Sequence, residues 1–131
     1  MDNERKRILI ENQIRKAKDT IIDAKIAFEN DRFRNTLNRN YYAIFYIVTA
    51  LAYKYDFITS KHKQLMGWFN KNFIKDNILD RKLGEIYKIA FDNRQDSDYS
   101  DFFPYDKNII EEHFKDMLYF VAEIEKFINQ K

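Results

Sequence analysis

Cysteine is absent from the 131 residues, which excludes disulfides and thiol chemistry. That absence suits the cytoplasm without establishing it. Two glycines and one proline leave little material for turns or for glycine-rich phosphate loops. Neither a Walker loop nor a dinucleotide-binding glycine turn is present. The chain has two histidines and no ligand spacing for a metal, so neither a metal nor a cofactor is expected. Charge of one sign is lacking too: 23 basic against 21 acidic side chains give a net +2. A long apolar run is also missing. The stretch from Ala43 to Tyr53 is interrupted by Thr49 and is too short to span a bilayer. The opening Met1-Asp2-Asn3-Glu4-Arg5-Lys6-Arg7 does not read as a secretory signal. A cytoplasmic protein without a membrane partner is the simple expectation.

Hydrophobic residues make up 45% of the chain and charged residues 34%, a balance that fits one helix-rich domain over residues 1–131. Twelve phenylalanines and nine tyrosines are many for this size. Some should face a partner, and a homodimer would cover them economically. Lys54, Lys61, Lys63, Lys71, Lys75, Arg81 and Lys82 make the middle locally basic, while Asp92, Asp96, Asp98, Asp101 and Asp106 form an acidic stretch. RNA phosphates can use such a basic region, although a solvated surface is the plainer reading.

Spacing of apolar residues organises the chain. Ile10, Ile14, Ala17, Ile21, Ala24 and Phe28 predict a first helix from about Asn3 to Glu29, broken at Asn30-Asp31. A second helix begins near Arg32 or Phe33 and carries two stripes. One holds Leu37, Tyr41, Ile44, Val48, Leu51 and Tyr55; the other holds Tyr42, Phe45, Tyr46, Thr49 and Tyr53. A helix apolar on two faces should be central, or lie between its own core and a partner. Thr59-Ser60 can cap a third helix with His62, Leu65, Met66, Phe69 and Phe73. After Asp76-Asn77, the residues Leu79, Leu83, Ile86 and Ala90 share a face that extends to Arg94. Asp96-Ser97-Asp98 should break this pattern, and Pro104 rules out a continuous helix through the connection. The last helix starts near Asp106 and shows Ile110, His113, Met117, Phe120, Ile124 and Phe127. The expected fold is all-α: an up-and-down four-helix bundle with an additional short helix.

One run, Asp92-Asn93-Arg94-Gln95-Asp96-Ser97-Asp98-Tyr99, crowds hydrogen-bonding groups around a single arginine. A guanidinium stays charged and offers fork-like donors, so Arg94 can hold a phosphate. The plainer role is an ion pair with Asp98, Asp96 or a carboxylate on another helix. His62 can serve as general acid or base, since imidazole titrates near neutrality, yet its place at a helix start lowers its pKa. Packing or surface hydrogen bonding is its plainer role, and a core or interface histidine is the plainer reading of His113. Tyr99 can orient phosphate or anchor the loop. Asp98 and Asn93 stand as supports for Arg94. Arg39, in the polar shoulder Asn38-Arg39-Asn40, either meets phosphate or, the favoured reading, pairs with the Asp92–Asp98 region. Tyr41, Tyr42 and Phe45 read mainly as packing residues, though a base-stacking platform has the same appearance in sequence.

The segment Arg39-Asn40-Tyr41-Tyr42-Ala43-Ile44-Phe45, with His62 in Ser60-Lys61-His62-Lys63 and Arg94 before Asp98-Tyr99, resembles HEPN domains. It is most similar to the small stand-alone prokaryotic group, over roughly Ile14 to Phe127. The resemblance implies a helical toxin that cuts RNA without a metal, acts as a dimer and is neutralised by a nucleotidyltransferase antitoxin. It implies a catalytic arginine, matched by Arg94, followed after four to six residues by histidine. Here those later positions hold Tyr99, Ser100 and Asp101, so the histidine half is missing. The resemblance also implies that an antitoxin can transfer a nucleotide monophosphate to a nearby tyrosine, for which Tyr99 is the local match. The other expectation is a noncatalytic nucleotide- or protein-binding module that partners a nucleotidyltransferase.

Overall fold

The computed structural model describes residues 2–99, 103 and 105–130, with the backbone alone at residues 98 and 99. Five α-helices carry the described chain: α1 (Asn3–Glu29), α2 (Phe33–Lys54), α3 (His62–Phe69), α4 (Arg81–Tyr99) and α5 (Lys107–Ile128). Among the described residues there is no strand. Four of the helices are long and α3 has 8 residues, extended by a π-helical turn at Asn70–Ile74. None of them is long and apolar enough to cross a membrane.

Helix starts and stops follow from side-chain chemistry. Asp2 caps α1 by accepting a hydrogen bond from the Arg5 N–H at 2.8 Å. Asp106 does the same for α5 with the N–H groups of Asn108 and Ile109. With glycine so scarce, Asp31, Asp56 and Asn77 occupy the left-handed positions, at φ 55°, 61° and 57°. After α1, Arg32 N–H reaches Ala27 O at 2.8 Å and Asp31 N–H reaches Phe28 O at 3.1 Å. The same pair of bonds ends α2, from Phe57 to Ala52 and from Asp56 to Tyr53. Both ends are Schellman motifs built on aspartate instead of glycine.

Two expected features differ. The helix does not break at Asp96-Ser97-Asp98, for α4 runs on to Tyr99. Ser97 is buried, and its hydroxyl donates to Arg94 O at 3.1 Å, so the polar residue is satisfied inside the helix. Thr59-Ser60 does not cap α3 either. From the approach loop, the Thr59 hydroxyl accepts from Lys61 N–H and donates to Gln64 Oε1 within α3, and the N-cap is Lys61 with no side-chain bond. Pro104 lies outside the described residues.

Helix α2 is the central element, as its two apolar stripes require, and packs against α1, α3, α4 and α5. Tyr41, Ile44, Ile47, Val48 and Leu51 of α2 are fully buried. Against them stand Ala17 and Ala24 of α1, Leu65 and Phe69 of α3, Leu83 and Tyr87 of α4, and Met117, Phe120 and Ile124 of α5. The small side chains of α1 let its backbone come close to α2. Lys54, at the last turn of α2, donates through Nζ to the carbonyls of Ile128 and Gln130 at 2.6 and 3.0 Å. It thereby satisfies carbonyls that the end of α5 leaves open.

Asn77→Gly is expected to stabilise the fold by about 0.5–1 kcal/mol, because its left-handed backbone suits glycine better. Asp31 and Asp56 are less suitable targets, since each also pairs with a lysine, Lys107 and Lys6. The check is a urea unfolding curve, and an unchanged or lower midpoint would contradict the account.

Candidate functional site

Three aromatic residues on α2, Tyr41, Tyr42 and Phe45, turn one side toward the start of α3 and the later part of α4. Their one- and four-residue spacing places them together on the helix. His62 is the first residue of α3, and its ring stacks on Phe45 with centroids 4.3 Å apart. The same imidazole lies nearly parallel to Tyr41 at 5.6 Å and edge-on to Tyr42 at 5.8 Å. Tyr41 Oη and His62 Nδ1 are 2.7 Å apart, a hydrogen bond between two helices.

Arg94 approaches the same platform from α4. Its guanidinium carbon is 4.9 Å from the Tyr41 ring centroid and 5.7 Å from that of Tyr42. These are cation–π contacts made by a half-buried side chain, where partial desolvation strengthens them. Residues 32 positions apart in the chain thus share one tyrosine. Arg94, on the face that extends from Ala90, thus turns toward α2.

Electrostatics follow from this closeness. Burial, with the neighbouring Arg94 charge, holds the His62 pKa below its ordinary value. Burial chiefly, and Tyr42 to a smaller extent, pushes the Tyr41 hydroxyl well above the normal tyrosine range, against an opposing pull from Arg94. At neutral pH the site therefore pairs a cationic guanidinium with a neutral imidazole and a protonated phenol. Such a set can grip an anion and present the second ring nitrogen, Nε2, to it.

Among the described side chains, Arg39 pairs with no carboxylate of the Asp92–Asp98 region. Its Nε and Nη2 donate to Asn38 Oδ1 at 3.1 and 2.7 Å, and its guanidinium lies 5.1 Å from the Tyr42 ring centroid. Asp92 is taken by Lys88, four residues earlier on the same helix. The neighbouring amide and ring lie on α2 with Arg39, within direct reach of its guanidinium. Arg39 also borders an open groove of about 330 Å³ with Asp23, Arg32, Asn35 and Asn38.

Asn93 follows a different path from its neighbour. It lines a cavity of about 20 Å³ with Asn40, His113 and Asp116 among apolar walls, room for a single water. Asn40 is 2% exposed, so the polar shoulder read from sequence is an interior position. His113 is half-buried there, as a core histidine. Burial lowers its pKa, while Asp116 and Glu112 pull it upward. The side chains of Asp98 and Tyr99 lie outside the described residues. Among the described residues, no three His, Asp or Glu side chains gather as cation ligands. The sequence reading missed the Tyr41 hydroxyl, and the available signal was a tyrosine on a core stripe, which needs a buried partner.

Both histidines have folded-state pKa values below the unfolded value of about 6.5. Their neutral forms favour the fold, so that stability is full above about pH 6.5 and is lost as pH falls through the lowered folded values. The melting temperature should therefore drop between about pH 7 and about pH 5, and a His62→Gln, His113→Asn double variant should flatten that slope. A wild-type melting temperature that is flat or rises over this interval would refute the assignment.

Residues 10–129 match the HEPN domain. The chain is 32% identical to a UPF0332 protein of Thermotoga maritima over 126 residues, 96% of this chain and 95% of that protein. It is also 32% and 30% identical to two Methanocaldococcus jannaschii proteins named Putative toxin MJ0142 and Putative toxin MJ0605. Those matches take in 69% and 64% of this chain, and 61% and 63% of the two proteins. The family match over residues 10–129, with the relative that covers nearly the whole chain, shows that the chain belongs to the HEPN domain family.

Proposed function

We propose that the protein is a metal-independent endoribonuclease toxin that acts as a dimer and is neutralised by a nucleotidyltransferase antitoxin. The observation that carries this reading is the meeting of Arg94 and His62 on Tyr41. The chain has no histidine four to six residues after the arginine, and an imidazole from α3 stands beside the guanidinium instead. RNA cleavage of this kind needs a 2′-hydroxyl to attack the adjacent phosphorus, a proton for the departing 5′-oxygen, and neutralisation of charge on the phosphorane. Arg94 supplies the fixed charge. His62 supplies its Nε2 next to it as a second hydrogen-bonding group for the phosphorane. Solvent water takes the 2′-hydroxyl proton and returns one to the departing 5′-oxygen. Arg39, joined to Arg94 through their shared neighbour Tyr42, provides a second phosphate contact toward the groove between α1 and α2. A dimer would place two such clusters along one cleft. In this reading Asp98 supports Arg94, and Tyr99 binds nucleotide or receives the modification. The names of the two Methanocaldococcus relatives support the toxin assignment.

The second reading is a noncatalytic nucleotide- or protein-binding module that partners a nucleotidyltransferase. The missing histidine after Arg94 favours it, as does the aromatic packing that holds His62 on three rings. Co-purification with a nucleotidyltransferase supports the complex under either reading. Cleavage by the isolated protein then separates them.

The purified protein is expected to cut single-stranded RNA in the presence of a chelator and leave 2′,3′-cyclic phosphate ends. Arg94→Ala should lower the rate by about 100-fold or more while the helical signal and melting behaviour are kept. Undiminished cleavage by a folded Arg94→Ala variant would defeat the catalytic assignment. RNA left intact by the wild-type protein would favour the binding module.

A further inference from the structure

The proton on the Tyr41 hydroxyl decides what His62 can do. Tyr41 is fully buried, and its ring is surrounded by Tyr42, Phe45, Phe91 and His62, at centroid distances of 5.2 to 6.2 Å. None of the three carbocyclic neighbours offers an acceptor through its ring to match a nitrogen lone pair. Among the described residues, the hydrogen bond recorded for Tyr41 Oη is the one to His62 Nδ1. A buried O–H must find an acceptor, since water cannot reach it. If Nδ1 carried a hydrogen and donated it, the phenolic proton would be left without an acceptor, because the nearby buried Tyr87 hydroxyl makes no hydrogen bond with it. If the phenol donates, both groups are satisfied.

We infer that Tyr41 is a positioning residue whose hydroxyl donates to His62 Nδ1 and fixes the imidazole as the neutral tautomer with its hydrogen on Nε2. The site then offers a phosphate oxygen two kinds of N–H donor, the Arg94 guanidinium and the His62 Nε2–H. Phosphate as the ligand rests on the reading given under Proposed function, whereas the tautomer is a property of the resting protein.

This assignment narrows the chemistry. With Nε2 protonated and Nδ1 occupied, His62 has no accessible lone pair and does not take a proton from a 2′-hydroxyl. Passing the Nε2 proton outward would draw the phenolic proton onto Nδ1 and leave a phenolate in the core, which burial opposes. His62 therefore acts as a neutral hydrogen-bond donor that stabilises charge on the phosphate and keeps its proton. Protonating it would also break the arrangement, because Nδ1 would become a donor facing a donor. The Arg94 charge acts in the same direction by disfavouring a second cation.

The test is the nitrogen spectrum of the two histidine rings, recorded on 15N-labelled protein above neutral pH and assigned with a His113→Asn variant. His62 should show a protonated Nε2 and an unprotonated, hydrogen-bonded Nδ1. In Tyr41→Phe, which keeps the ring beneath Arg94, the hydrogen-bonded Nδ1 signature should vanish and the tautomers should mix. A wild-type ring with its hydrogen on Nδ1, or a spectrum unaffected by Tyr41→Phe, overturns the inference. The wild-type spectrum decides the tautomer even if the variant does not fold. For the ligand, inorganic phosphate should shift the Nε2–H resonance, with affinity about tenfold weaker in Arg94→Ala. Absence of any shift removes the phosphate clause. Intact RNA together with the Nε2–H tautomer would count against the ribonuclease alone, and cleavage by an Nδ1–H protein against the tautomer alone.

Discussion

One buried phenol joins three helices. Tyr41 belongs to the core of α2, its hydroxyl holds the first residue of α3, and its face receives the guanidinium of α4. Each contact constrains the others. The ring must stay in the core for its hydroxyl to reach His62, and Arg94 must lie over the ring for its charge to bear on the imidazole. Burial makes each polar contact stronger than it would be in water, and also makes each one harder to lose.

Arg94 and His62 thereby meet on one ring although 32 positions separate them in the chain. A short sequence motif brings two groups together by helix geometry alone. Here the bundle does so with residues from different helices, through a shared aromatic neighbour. The positions next in sequence face elsewhere: Asn40 and Asn93 turn to the small cavity beside His113 and Asp116. A helix advances about 100° per residue, so the same two helices serve a site on one side and a polar interior on the other.

Much of the architecture could be read from spacing. The first helix shows its bounds because Asp2 and Asn30-Asp31 flank an unbroken pattern, and the two stripes of α2 announce a central element. Arg94 was legible as a residue on an extended apolar face. The course of α4 through Asp96-Ser97-Asp98 was not, because serine and aspartate favour turns locally and only packing shows that Ser97 faces inward. The partner of Arg39 was not legible either, since a neighbouring amide, a ring and distant carboxylates all suit a guanidinium. Least visible was the Tyr41 hydroxyl. In sequence a core tyrosine looks like any aromatic knob, and its acceptor lies 21 positions away, across a loop without regular pattern.

The two nitrogen-bearing groups stand on unequal foundations. Arg94 rises from a helix of 19 residues, while His62 opens one of 8 whose N-cap has no side-chain bond. Short helices open locally at lower cost than long ones. The cluster is therefore asymmetric in persistence: a brief fraying at α3 withdraws the imidazole and leaves the guanidinium seated on its tyrosine.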